Sequence, residues 1–484
     1  MDDVRKGWLI LAATAQIVCA VAGGRVFDVG PEQTLTAIGD VPWEALHAGD
    51  TVRIHWRQEP YREKWVVCAT GAAASPVTVS GVPGPDGQLP VINGQDATCR
   101  RELDFWGEDR AVIKIGGANV PADCVPVHIV IENLEIRSAR PPHMFVGRDG
   151  QTAYRENAAA IWVEKGEHIT IRSCRFHDCA NGFVSSRQSS DLLVEQCEIY
   201  GNGTELGIYQ HNVYTESVGI VFQFNYFRPL RSYAFGNNLK DRSSGTVVRW
   251  NWIEGGNRLL DLVDSDYRHI YERDDYRETF VYGNVLIKRS ETTNNQLCHY
   301  GGDSGKTDHY RNGTIYFCNN TVVSHRLGQM TLWHLSSADD RAVARNNIFW
   351  CSTGLGYIQP LLPPGRASFG SNWCPRGFEA MLRVVNEEAG VYTVTPQIFG
   401  SAPGFRDAAS QDFRLAPGSL CVDRSEALPR AMLAAGHTLA TEYVPHRRHR
   451  TRPVDARLDI GAFELAPDQG KPGTADNDPR LRKN

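Results

Sequence analysis

The chain has 484 residues, 42% hydrophobic and 22% charged, with a formal net charge of -5. Those values are ordinary for a soluble folded chain, and the length allows more than one conventional domain. No basic excess supports a nucleic-acid partner, so recognition of an acidic polymer requires a local basic patch.

Residues 1–22 read as a signal peptide. Arg5 and Lys6 precede a mostly apolar run from Leu9 to Val21, and Ala20-Val21-Ala22 offers a small-residue cleavage site before Gly23. A secreted or periplasmic location is therefore expected. No later segment approaches the ~20 apolar residues of a membrane helix, so no membrane span is expected. Removing Cys19 from the 12 cysteines leaves an odd set, so at least one thiol stays free or pairs between molecules. No C-x-x-C occurs to support a tetrathiolate zinc site. Cys68, Cys99 and Cys124 lie together early in the chain and are candidates for a disulfide whose pairing the sequence does not choose.

Residues 23–122 read as first coils and a cap. Ala48-Gly49-Asp50-Thr51-Val52 opens an alternating run through Ile54 and Trp56, and the Pro- and Gly-rich stretch from Pro83 to Pro90 reads as a loop. A cap is needed because an open coil end would present unpaired strand edges.

From 123 to 465 a short motif recurs: an apolar residue, two variable ones, then Asn, Cys or Leu, one variable, one apolar. It reads Ile131-Glu-Asn-Leu134-Glu-Ile136, Ile171-Arg-Ser-Cys174-Arg-Phe176, Val194-Glu-Gln-Cys197-Glu-Ile199 and Phe222-Gln-Phe-Asn225-Tyr-Phe227. It continues as Val248-Arg-Trp-Asn251-Trp-Ile253, Val281-Tyr-Gly-Asn284-Val-Leu286, Phe317-Cys-Asn-Asn320-Thr-Val322 and Val343-Ala-Arg-Asn346-Asn-Ile348. The fourth positions are 23 to 40 residues apart, as expected when each coil needs a fixed length and insertions enter the loops. In-out alternation argues for strands, and the dense leucine pattern of a leucine-rich repeat is missing. An inward Asn at a bend can bond its own backbone and the Asn of the next coil, about 4.8 Å away, forming a ladder. Cys174 and Cys197 fall in that ladder and read as two small buried thiols. The motif ends near Asp412-Phe-Arg-Leu415-Ala-Pro417-Gly-Ser419 and Asp459-Ile-Gly-Ala-Phe-Glu464, and the polar residues 466–484 read as a disordered tail.

With these segments, the chain resembles bacterial right-handed parallel β-helix proteins of the pectate-lyase-like superfamily, from about Gly24 to Leu465. The resemblance implies an all-β fold, a right-handed parallel β-helix with an N-terminal cap. It says less about substrate, because this fold hosts lyases, hydrolases, epimerases and adhesive proteins. His211-Asn-Val-Tyr214, Asn238-Leu-Lys240-Asp-Arg242 and Leu260-Asp261-Leu-Val-Asp264 are similar to a succession found in members of the group. The Lys240 segment is also similar to the lysine-bearing strand of alginate and chondroitin lyases with this fold. Those enzymes carry Arg-His-Gly on the next coil, where this chain has Leu260-Asp261-Leu262-Val263-Asp264.

The ladder positions also locate a preceding strand in each coil. Ile161, Phe183, Val213, Leu239 and Leu332 lie 12 to 14 residues before a ladder position. If they point inward, Trp162, Val184, Tyr214, Lys240 and Trp333 point outward, with Asp261 and His299 on the coils between. One face is thus expected to bind a polysaccharide. Trp162, Trp333, His299 and Arg258 would contact substrate, and Tyr214, Lys240, Arg242, Asp261 and His211 would perform chemistry. Two mechanisms follow. In a lyase acting on a uronate, Arg242, Arg258 or a calcium ion held by Asp261, Asp264 or Asp266 offsets the carboxylate. Lys240, with its pKa lowered by neighbouring cations, is the base, and Tyr214 or His211 protonates the leaving oxygen. In a hydrolase, Asp261 and Asp264 form the carboxylate pair. A third alternative is a non-catalytic glycan-binding or surface protein.

Overall fold

The computed structural model describes residues 23–385, 390–453 and 457–465; the expected signal peptide and tail lie outside them. Parallel strand pairs accumulate along the chain into a coil with three strand columns. The third forms an eleven-stranded sheet from Val91–Asn93 to Ile398–Gly400. Stacking begins early: Val26–Val29 pairs with Thr51–His55, which pairs with Val77–Val82.

The first column positions the candidate site. Its successive strands are β1 (Ala111–Ile115), β2 (Ala159–Arg172), β3 (Asn181–Glu195), β4 (Val213–Thr215), β5 (Leu239–Asp241), β6 (Leu260–Leu262), β7 (Gln296–Tyr300), β8 (Gln329–Leu335) and β9 (Tyr357–Leu362). Ile113, Ile161, Phe183, Val213, Leu239, Leu260, Cys298, Trp333 and Leu361 are in register, and all are buried in one continuous core. This column of apolar side chains is the main force holding coil on coil, since each coil can bury its inner face only against its neighbours.

The ladder runs beside that core. The Asn225 side-chain amide donates to Asn251 Oδ1, and the contact repeats through Asn284, Asn320, Asn347 and Asn372 at 2.9–3.1 Å. Each Oδ1 also accepts the backbone N–H of the preceding Asn. Cys174 and Cys197 occupy the earlier rungs as free, fully buried thiols, and all eleven described cysteines are free. The eighth copy departs from expectation. Its rung is Asn347, while Asn346 is the bend residue before it, with φ 58°. The same left-handed bend precedes the rungs Asn225, Asn251, Asn284 and Asn320, at Phe224, Trp250, Gly283 and Asn319. Asparagine tolerates that conformation better than most residues, so an Asn-Asn doublet fits both positions at once.

After Gly400 the chain leaves the coil and packs back on the outer faces of the second and third columns. Phe413, Met432, Tyr443 and Phe463 bury Phe224, Trp250, Trp252 and Tyr282 there. Asp459 and Glu464 lock this return: Glu464 holds the buried Arg452 guanidinium, and the Gly461 N–H reaches Asn346 O.

Candidate functional site

On the outer surface of the first column the register aligns Lys114, Trp162, Val184, Tyr214, Lys240, Asp261, His299 and His334. The expected outward positions of Trp162, Tyr214, Lys240 and Asp261 agree with this. Trp333 does not. It is fully buried among Phe317, Phe349 and Phe369, and His334 takes the outward place. A one-residue slip in a strand exchanges the faces, so Trp333 is a core residue and not a sugar platform.

The centre of the row is a buried ion network. Lys240 Nζ donates to Asp261 Oδ2 at 2.8 Å and to Asp303 Oδ2 at 2.6 Å. Arg242 donates to Asp303 Oδ1 at 2.7 Å through Nη2, to the Tyr214 hydroxyl at 3.2 Å through Nε, and to the Asp264 carbonyl through Nη1. Asp261, 1% exposed, accepts from Lys240, from Asn237 Nδ2 at 2.7 Å and from His299 Nδ1 at 2.9 Å, with Arg258 Nη1 at 3.6 Å. Burial opposes its charge, but His299, Lys240 and Arg258 together hold its carboxyl well below the usual range. Burial likewise opposes the charge on Asp303, and Lys240 and Arg242 outweigh it.

Asp303 was not singled out by the sequence. It sits on the loop after β7, and Asp264 from the preceding coil holds that loop in place. The Asp264 carboxylate accepts the Asp303 and Ser304 backbone N–H groups and the Ser304 hydroxyl.

These contacts correct the role expected for Lys240. Its Nζ donates to two carboxylates and is largely covered, so it is not placed to take a proton from a substrate. It is an electrostatic anchor instead. Arg258, also expected to touch substrate, is turned partly inward, with Nε on Gln296 Oε1 at 2.7 Å. His299 is engaged at both ring nitrogens, by Asp261 and by Ser336 Oγ at 2.9 Å.

Three titratable groups of the row, His211, Tyr214 and His334, keep capacity for a ligand. His211 is buried beside Tyr214, ring edge to face at 5.6 Å. Its Nδ1 accepts the Asn237 backbone N–H at 2.9 Å, so the neutral ring carries its proton on Nε2, which has no partner among the described residues. Burial, with Lys240 and Arg242 adding, pushes its pKa down to about 3 and keeps it neutral. The Tyr214 hydroxyl, touched by Arg242, is half-exposed at the edge of the network. His334 stacks on His299 at 4.6 Å, and burial brings its pKa down to about 4.

With this geometry in view, the family described as "Right handed beta helix region" matches residues 127–271. The fold is a right-handed parallel β-helix. No curated protein matches the sequence. Among solved structures, an alginate lyase from Paenibacillus sp. str. FPU-7 is 12% identical, with 66% of this chain and 91% of that one covered and a TM-score of 0.44. A lacto-N-biosidase of glycoside hydrolase family 136 from Eubacterium ramulus is 10% identical, with 78% and 68% covered and a TM-score of 0.44.

The β-helix does not gather the three carboxylates expected to hold calcium. Asp261 is saturated by Lys240, Asn237 and His299. Asp264 is fully buried and turned to the Asp303 loop, and Asp266 pairs with Lys306 at 2.7 Å on the surface. No cluster of three or more His, Cys, Asp or Glu among the described residues is placed to hold a metal. The same saturation corrects the expected Asp261/Asp264 hydrolase pair: neither carboxylate faces a space a sugar can enter. No described helix is long and apolar enough to cross a membrane.

Proposed function

We propose that the protein is an exported polysaccharide lyase that cleaves a uronate-containing polysaccharide by β-elimination at Tyr214. The observation that supports this reading is the division of labour in the row. Its carboxylates are consumed in holding Lys240 and Arg242, while the groups beside them that keep capacity include a tyrosine hydroxyl against an arginine and a histidine Nε2–H. Such a set suits proton transfer next to an anion and leaves no carboxylate pair for hydrolysis.

In the proposed step, Tyr214 as phenolate, its charge offset by Arg242, takes the C5 proton of the uronate. The C5–H electron pair becomes the C4=C5 double bond. The C4–O bond breaks, and its electron pair stays on the glycosidic oxygen. The Tyr214 hydroxyl returns its proton to that oxygen and regenerates the phenolate. The His211 Nε2–H donates to the substrate carboxylate, where negative charge grows.

The test is ultraviolet absorbance from unsaturated uronate after incubation with alginate, pectate or a glycosaminoglycan. Product from one of these, lost in Tyr214→Phe, supports the proposal. Reducing sugar without the unsaturated product would select hydrolysis, and binding without turnover would select a glycan-binding protein; either result overturns it.

A further inference from the structure

Beside the row, on its N-terminal side, lies a cavity of about 340 Å³ whose walls include Arg110, Trp162, Arg187, Tyr214, Glu216 and Tyr267. Its apolar surface is mainly aromatic. Trp162 is 7% exposed, and its indole N–H has no partner among the described residues.

The charges around the cavity are unbalanced. The Arg110 guanidinium lies over the Trp162 ring at 5.2 Å, and the Arg187 guanidinium over the Tyr267 ring at 4.3 Å. Arg187 donates to the Tyr267 hydroxyl at 2.8 Å. Among the described residues neither arginine has a carboxylate partner, although most arginines along this chain do. The two acids on the walls are committed elsewhere. Glu164 pairs with Lys114 Nζ at 3.1 Å. Glu216 accepts from Ser265 Oγ at 2.6 Å and from the Asp266 N–H at 3.3 Å, and its burial favours the neutral form. Two guanidinium groups are thus held in place by stacking on aromatic faces, with no anion supplied by the protein. Arginine is suited to planar carboxylates, and aromatic faces suit the C–H face of a pyranose ring.

We infer that this cavity is a subsite for an acidic sugar ring, in which Trp162 and Tyr267 pack the ring and Arg110 and Arg187 bind its carboxylate. It rests on the lyase reading in one respect: the ring is a neighbour, in the same polymer, of the sugar that meets Tyr214. Tyr214 stands at one wall of the cavity and Trp162 lies two strand spacings away, roughly 9.5 Å, so the ring packed on Trp162 and the sugar that reacts at Tyr214 are different ones. The consequence is a requirement for acid groups on more than one sugar.

Binding tests this apart from turnover. A saturated oligouronate and a neutral oligosaccharide of equal length are titrated by calorimetry, with tryptophan fluorescence as a second readout. The oligouronate is expected to bind, to quench fluorescence, and to weaken as salt rises; the neutral sugar is expected to bind more weakly with no salt dependence. Arg110→Gln and Arg187→Gln are each expected to cost the oligouronate about tenfold in affinity, near 1.4 kcal/mol, with little effect on the neutral sugar. A sulfated neutral oligosaccharide that binds better than the oligouronate would overturn the carboxylate assignment. Salt-independent binding, measurable on the unaltered protein even if a variant misfolds, would overturn the subsite. If no unsaturated product ever forms but the arginine-dependent binding is seen, the lyase reading falls and the subsite stands. If product forms with affinity indifferent to both arginines, the reverse holds.

Discussion

Asp261→Asn probes the centre of the network. The substitution keeps the shape of the side chain and removes its charge. Every group pointing at the Asp261 carboxylate is a donor: Lys240 at 2.8 Å, Asn237 at 2.7 Å and His299 at 2.9 Å. An amide there must aim its NH₂ at one of them. Removing one member of a buried ion pair typically costs 3–5 kcal/mol, because the other charge stays buried without its partner. Lys240 keeps Asp303, so the lower end applies, about 3 kcal/mol. Urea denaturation should show that loss, and Lys240→Met combined with Asp261→Asn should be less destabilised than the two single changes added, by roughly 1–3 kcal/mol. The pH dependence has a definite sign. Folding depresses the Asp261 carboxyl, so its contribution is complete above the unfolded value near 3.9 and is lost as pH falls through the depressed one. The stability gap between wild type and Asp261→Asn should therefore be level from neutral pH to about 4 and close on further acidification. A loss below about 1 kcal/mol with additive double-variant behaviour would refute the reasoning, because it would make the cluster an ordinary solvated ion pair.

Other substitutions separate scaffold from chemistry. Asn251→Ala removes an acceptor used by both the backbone and the side chain of Asn225, and leaves these donors buried; a cost of about 3 kcal/mol in urea is expected. Trp333→Ala should cost about 3–5 kcal/mol while His334→Ala changes stability by about 0.5 kcal/mol or less, read by thermal melting; equal effects would contradict the register of β8. Tyr214→Phe should lower kcat/KM by about 10²–10⁴-fold with an unchanged unfolding midpoint, since the hydroxyl's one protein contact is Arg242 Nε.

How far the site was legible follows from these same residues. The in-out period of two and the recurring rung residue carried the coil, the free thiols at Cys174 and Cys197, and the outward places of Tyr214, Lys240 and Asp261. The error at Trp333 has a specific origin. The interval from Leu332 to Asn346 is the same as that from Trp333 to Asn347, so a joint slip of one residue leaves the spacing intact. The Asn-Asn doublet hides the slip, because asparagine suits both the left-handed bend and the rung. Only the sign of φ at Asn346 and the partner of Asn347 distinguish them. Asp303 escaped for a different reason: it belongs to a loop, where no repeat applies, and its place is set by Asp264 one coil earlier.

That dependence on a loop changes what Lys240 means. Charged residues on one strand face suggest solvent exposure, and a lysine amid arginines suggests a lowered pKa and a base. Once Asp303 folds over the row, the lysine lies between two carboxylates and is tied to both. Charge equality among Lys240, Arg242 and Arg258 against Asp261, Asp264 and Asp303 makes the network self-contained, and it holds Arg242 against Tyr214. Asn237 ties the same network to His211: it donates through its side chain to Asp261 and through its backbone N–H to His211 Nδ1. Tyr214 and His211 are therefore oriented by Asp261 and Asn237, which do not meet the substrate. Substitutions at Asp261 or Asn237 should in consequence reduce turnover through misplacement of Tyr214 and His211, where displacements of about 1 Å can cost 10²-fold.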